Sequence, residues 1–125
     1  MKSLATALVL AGAALFGLTA CSAQATPTAQ STISADTVVI DVRTPGEYAA
    51  GHLEGALNID VQASDFDSQV AALPTDGDYV VYCRSGSRSA AAASRLAELE
   101  FTSVTDAGAM SAASVSTGLP VVTTP

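Results

Sequence analysis

Two six-residue stretches, "TVVIDV" (Thr37 to Val42) and "DYVVYC" (Asp78 to Cys83), do most to limit what this chain can fold into. The first is apolar, β-branched and flanked by polar residues, as a strand buried on both faces of a parallel sheet would be. The second follows the turn signal "TDGD" and is the strongest strand in the sequence. Helical segments lie between such strands. "PGEYAAGH" reads as a turn and short helix, "ALNI" (Ala56 to Ile59) as a further short strand, and "SDFDSQVAAL" (Ser64 to Leu73) as a helix capped by Ser64. Phe66, Val70 and Leu73 recur there at helical spacing, and Pro74 ends the segment. "SRSAAAASRLAELE" is a strong helix by propensity, "SVTD" another short strand, and "MSAASVSTG" a closing helix stopped by Gly118. The alternation implies an α/β domain with a mostly parallel central sheet flanked by helices.

This order puts Cys83 at the C-terminal end of a central strand, with "CRSGSRS" turning directly into a helix. Open α/β sheets bind their ligands at that edge. Amides of such a turn can converge on an anion with the helix dipole behind them, and Gly86 permits a backbone conformation or approach that a side chain would forbid. A thiol held there is expected to have a lowered pKa, stabilised as thiolate by the amides and by Arg84 and Arg88. Charge supports an anionic ligand. The chain has 5 Lys and Arg against 12 Asp and Glu, a formal net charge of -7, which argues against nucleic acid as a partner. With Lys2 set aside, only Arg43, Arg84, Arg88 and Arg95 remain, and half of them sit in this one turn. A buried, inert cysteine closing a strand would leave those arginines without a reason, so Cys83 is read as a nucleophile.

The N-terminus is a separate matter. Lys2 precedes "LATALVLAGAALFGL", an apolar run shorter than a membrane-spanning helix and of the size of a signal-peptide core. The following "LTAC", Leu18 to Cys21, resembles the lipobox of bacterial lipoproteins, in which the cysteine is lipidated and becomes the new N-terminus. Residues 22–31, "SAQATPTAQS", are small and polar, as a flexible tether would be. The expected organisation is a signal peptide over 1–20, a tether over 21–31 and one domain over 32–125. The protein is then exported and lipid-anchored at the outer face of a bacterial cell membrane, with no other membrane contact. If Cys21 carries lipid, Cys83 is the single thiol of the mature domain and no intramolecular disulfide can form.

Three ordered segments carry a family resemblance. "CRSGSRS" is similar to the active-site loop of rhodanese-type sulfurtransferases, "DVRTPGEYAAGHLEGALNI" resembles the family's opening signature, and "DAGAMSAASVSTGLPV" resembles its closing segment. Together, running from Asp41 to Val121, they span nearly all of the stretch from Thr37 to Val122. The resemblance implies a single three-layer rhodanese-like domain in which Cys83 takes up sulfane sulfur as a persulfide and Arg84, Ser85, Gly86, Ser87 and Arg88 bind the substrate. The partners it implies are a small anionic donor such as thiosulfate and a thiol or cyanide acceptor, with a redox partner protein as a further candidate. It calls for no cofactor and no metal, and a monomer is expected. The chain departs from the family pattern in the closing turn, where Gly108-Ala109 replaces a usual glycine pair, and in the last helix, where Ala113 stands near the place of a frequent tryptophan and an extra residue precedes Gly118.

Other residues receive supporting roles. His52 is assigned to a structural turn rather than to proton transfer, which sulfur transfer does not need. Asp41 and Arg43, at the end of the first strand, are read as hydrogen-bonded support for neighbouring loops, with Glu47 as a partner for Arg43. Ser85, Ser87 and Ser89 are expected to shape the turn and cap the helix. Two other classes remain open. A cysteine-based phosphatase or arsenate reductase of the related fold would use a similar nest, but only four residues separate Cys83 from Arg88, against five in the phosphatase loop. A non-catalytic tethered binding module would not need the intact cysteine and arginines.

Overall fold

The computed structural model describes residues 32–123; the expectations for the signal peptide, the tether and Cys21 lie outside them. In chain order the elements are β1 (Val38–Asp41), α1 (Pro45–Ala50), β2 (His52–Leu53), β3 (Leu57–Asn58), α2 (Phe66–Val70), β4 (Asp78–Cys83), α3 (Ser87–Glu98), β5 (Ser103–Ala109), α4 (Met110–Thr117) and β6 (Val121–Val122). Four strands make a parallel sheet in the order β3-β1-β4-β5. The α/β expectation holds, and both central strands are covered on both faces.

Register explains how. Val39 pairs with Val80, Ile40 with Val81 and Asp41 with Tyr82, so successive residues of β1 and β4 turn to opposite faces together. On one face Ile40, Val42, Val81 and Cys83 pack with Phe66, Val70, Ala92, Leu96 and Phe101 from α2, α3 and the turn that follows α3. On the other, Val39, Val80 and Tyr82 pack with Leu53, Ala56 and Ala113. Helix α3 presents Ser89, Ala92 and Leu96 to the sheet at helical spacing. Burying Leu96 alone contributes about 1.5–3 kcal/mol before entropy is counted. The helix ends in a Schellman turn, in which Phe101 N donates to Leu96 O (3.0 Å) and Glu100 N to Ala97 O (3.1 Å), with Glu100 at φ 70°.

Several boundaries differ from the sequence reading. Helix α2 spans only Phe66–Val70, its N-cap is Asp65 rather than Ser64, and no side chain caps it. Its last turn gives way before Leu73 because the residue preceding a proline is driven out of helical backbone. Strand β5 runs well past "SVTD" to Ala109. The two-residue strands β2 and β6 form an unforeseen antiparallel pair, His52 opposite Val122 and Leu53 opposite Val121. The last helix forms as expected, with Ala113 fully buried and Gly118 closing it at φ 74°. No helix among the described residues is long and apolar enough to cross a membrane.

Candidate active site

The C-terminal edge of the sheet gathers the ends of β1 and β4 and the loop from Cys83 to Ser89. Gly86 is the N-cap of α3 at φ 104°, a left-handed conformation that an L side chain takes only with strain. The loop also lies against the end of β5. A Cβ on Gly86 would sit 3.7 Å from Gly108 Cα, where the pairing of β4 with β5 slips between Val81 opposite Asp106 and Cys83 opposite Ala109. Such a bulge bends the edge locally beside the loop.

Cys83 is fully buried beneath this loop. Gly86 N donates to its Sγ at 2.9 Å. The thiol in turn faces Ser89 Oγ at 3.6 Å, and that hydroxyl donates to Gly86 O at 3.0 Å. Burial pushes the thiol pKa up, but the Ser89 hydroxyl and the amides of Ser89, Gly86 and Ser85 outweigh it and hold the pKa below the ordinary thiol range. The expected lowering is present and the loop amides supply part of it as expected; the Ser89 hydroxyl joins them, while Arg88 is coupled to the sulfur through charge alone and no arginine among the described residues hydrogen-bonds it. Ser89 shapes the turn as expected through its bond to Gly86 O, but the expected capping is absent. No side chain caps α3, and Ser89 is turned to the sulfur.

The arginines divide. Arg84 and Ser85 are exposed on the loop, as is Ser87 at the start of α3. Arg88 is held by Glu47 through both ends of its guanidinium, Nη1 to Oε2 at 2.7 Å and Nη2 to Oε1 at 2.9 Å. The Glu47 carboxylate lies well below the usual range, at about 2, because of Arg88 first and then the backbone amide of Thr44. Glu47 therefore pairs Arg88 and not Arg43, which corrects the sequence reading. Thr44 and Glu47 form a capping box, Glu47 N donating to Thr44 Oγ1 (3.3 Å) and Thr44 N to Glu47 Oε2 (3.1 Å), so the start of α1 is tied to the start of α3.

Asp41 and Arg43 share the edge with Cys83 but not the face. The Asp41 carboxylate is fully buried and accepts from Arg43 N (2.9 Å), Nε (2.9 Å) and Nη2 (2.6 Å), and from the Tyr82 hydroxyl (2.9 Å). Arg43 Nη2 also donates to Gly51 O (2.6 Å), and its guanidinium lies 5.8 Å from the Tyr82 ring centroid. Hydrogen bonding to Asp41 raises the Arg43 pKa, so the guanidinium keeps its charge. Tyr82, whose hydroxyl also accepts from Leu53 N at 2.9 Å, is the residue the sequence did not reveal. A tyrosine inside "VVYC" reads as core, and nothing local marks its hydroxyl as the centre of a network. Asn58 extends the support by donating to Asp41 O (3.1 Å) and Arg43 O (2.9 Å). His52 is structural, as expected, stacked on Tyr48 with 3.7 Å between centroids and its Nδ1 2.8 Å from Tyr48 O.

The relatives of this chain agree with its geometry. The family model for the rhodanese-like domain matches residues 26–111. A protein named sulfurtransferase from Allochromatium vinosum is 33% identical over 87 residues, 70% of this chain and 79% of that one. Thiosulfate sulfurtransferase PspE of Escherichia coli is 38% identical over 73 residues, 57% of this chain and 68% of that one. Among solved structures, one described as a rhodanese with anions from E. coli superposes with a TM-score of 0.60 at 29% identity, covering 70% of this chain and 99% of that one.

Proposed function

The chain belongs to the rhodanese-like domain family, and from that premise we propose that it moves sulfane sulfur from a small anionic donor of the thiosulfate kind to a thiol or cyanide acceptor, with Cys83 carrying the sulfur between them. The observation that carries the reading is the donor set around Sγ, which lowers the thiol pKa although the residue is fully buried. An inert core cysteine would show the effect of burial alone. The Cys83 thiolate attacks the outer sulfur of thiosulfate, the S–S bond of the donor breaks, and sulfite leaves with the electron pair. The outer sulfur of the new persulfide then carries the negative charge, and the amides of Ser85, Gly86 and Ser89 are its available donors. Attack by an acceptor thiolate, from a small molecule or a redox partner protein, or by cyanide on that outer sulfur returns the Cys83 thiolate. No proton has to move in either step. Since Cys83 has no exposed surface, the exposed Arg84–Ser85 part of the loop shifts aside for each encounter.

Loop length separates this reading from phosphatase chemistry, because four residues between Cys83 and Arg88 close a smaller nest than a phosphoryl group needs. The test compares thiosulfate:cyanide sulfur transfer with hydrolysis of an aryl phosphate, in the wild type and with one glycine inserted after Gly86. The wild type is expected to perform only the first reaction and the insertion to weaken it. Cys83-dependent phosphate hydrolysis by the wild type, with no sulfur transfer, would overturn the proposal.

The same reading extends to location. We propose that the mature chain begins at lipidated Cys21 and that the domain works at the outer face of a bacterial membrane, because Lys2, an apolar run and "LTAC" occur in the order of a lipoprotein signal. Labelled fatty acid should enter the wild type and not Cys21→Ser; equal labelling would refute it.

A further inference from the structure

Four arginines fall within the described residues, and three of them are in ion pairs: Arg43 with Asp41, Arg88 with Glu47, and Arg95 with Asp67 and Glu98. Arg84 makes no ion pair among the described residues and stands exposed on the loop directly after Cys83. All 12 carboxylates of the chain are in the described part, so this cation works against an acidic surround. Arg88, on the first turn of α3, is the other arginine whose charge is felt at Cys83. Glu47 removes it from service, meeting both guanidinium ends while its own carboxylate is fixed by Thr44 N at 3.1 Å and Thr44 Oγ1 at 3.0 Å. The pair is partly shielded, with 22% of the Arg88 side chain and 29% of the Glu47 side chain exposed.

We propose that Glu47 is a positioning residue that sets donor charge preference: by holding Arg88 it leaves the loop one working cation, and the site favours sulfane donors carrying one negative charge, such as alkanethiosulfonates, over the thiosulfate dianion. The inference rests on the sulfur-transfer reading. With a thiosulfonate the thiolate attacks the terminal sulfur, its bond to the sulfonyl sulfur breaks, and a sulfinate monoanion leaves with the electron pair. Charge is conserved, and no oxidant or reductant is needed. With thiosulfate the leaving group is a dianion, and Arg84 alone faces it along with the charge of the persulfide.

Glu47→Gln tests this without undoing α1, because glutamine also serves at the third position of a capping box. With cyanide as acceptor, kcat/KM is measured for thiosulfate and for methanethiosulfonate. Freeing Arg88 is expected to raise the thiosulfate-to-methanethiosulfonate ratio by about fivefold, the scale of one partly exposed ion pair, chiefly through a lower KM for thiosulfate. Arg88→Lys keeps the charge and loses the two-pronged grip, and should move the ratio the same way. A parallel calorimetric titration on Cys83→Ser, where no sulfur is transferred, should show tighter thiosulfate binding when Glu47→Gln is added and no change for methanethiosulfonate. An unchanged ratio, or equal changes for both donors, would overturn the role of Glu47 while leaving sulfur transfer intact. A wild type that turns over neither donor would overturn the sulfur-transfer reading and this inference with it.

Discussion

Tyr82→Phe is the sharpest perturbation of the network beneath the active-site edge, because it deletes one oxygen and leaves the ring to pack. That oxygen makes two buried contacts, donating to Asp41 Oδ2 at 2.9 Å and accepting from Leu53 N at 2.9 Å. Losing a hydrogen bond to a charged group costs about 1.5–3 kcal/mol, and leaving a buried N–H unpaired costs about 1–3 kcal/mol. The two losses overlap as Asp41 keeps its bonds from Arg43, so a total of about 2–4 kcal/mol is expected. For a domain of this size that lowers Tm by roughly 10–25 °C. Tyr79→Phe is the matched control. Its hydroxyl makes one part-buried bond, to Pro74 O at 2.6 Å, and should cost about 1 kcal/mol. Urea unfolding of the purified proteins gives both numbers, with the midpoint moving and the slope constant. Sulfur transfer well below the melting transition should persist in Tyr82→Phe, since the hydroxyl's two bonds go to Asp41 and Leu53 and neither to the loop. A loss no greater than that of Tyr79→Phe would refute the assignment of Tyr82 as the centre of the network.

Ser89→Ala removes the hydroxyl beside Sγ, so the Cys83 thiol pKa should rise and the pH profile of alkylation by a small haloacetamide should move to higher pH; an unmoved profile would show that the amides suffice. Gly86→Ala forces an L side chain to φ 104° and should cost about 1–2 kcal/mol by denaturant unfolding, with a loss of turnover although its Cβ would meet Gly108 and Ala109 only at ordinary contact distance. The Glu47 pKa falls from the ordinary 4.5 to about 2, so the stabilisation from its ion pair is complete above pH 4.5 and lost as pH falls through about 2. Between those values the wild type should lose more stability than Glu47→Gln, and parallel pH curves would contradict the pairing.

What the sequence made legible follows from how local each signal is. Strands β1 and β4 were readable because burial on both faces demands unbroken apolar runs, and α3 because five of its twelve residues are alanine. The nucleophile was readable from its position between such a strand and such a helix. Strands β2 and β6 were not, since two residues carry no periodicity and their pairing joins His52 to Val122 across the domain. Strand β5 was cut short because "DAGA" has weak strand propensity. The Glu47 assignment failed for a related reason. Arg43 is the nearer arginine in sequence, but two residues beyond the end of β1 it turns back inward to Asp41, leaving Glu47 to meet an arginine 41 residues away. The lowered thiol pKa and its amide donors were foreseen; the Ser89 hydroxyl that joins them was not, because its direction appears only once the loop is folded.

The central claim is that Cys83 carries sulfane sulfur, and the mass of the intact protein after incubation with thiosulfate tests it most directly. The wild type should gain the mass of one sulfur atom, lose it on addition of cyanide with formation of thiocyanate, and Cys83→Ser should gain nothing. A wild type whose mass does not change, or an equal gain in Cys83→Ser, would contradict the account.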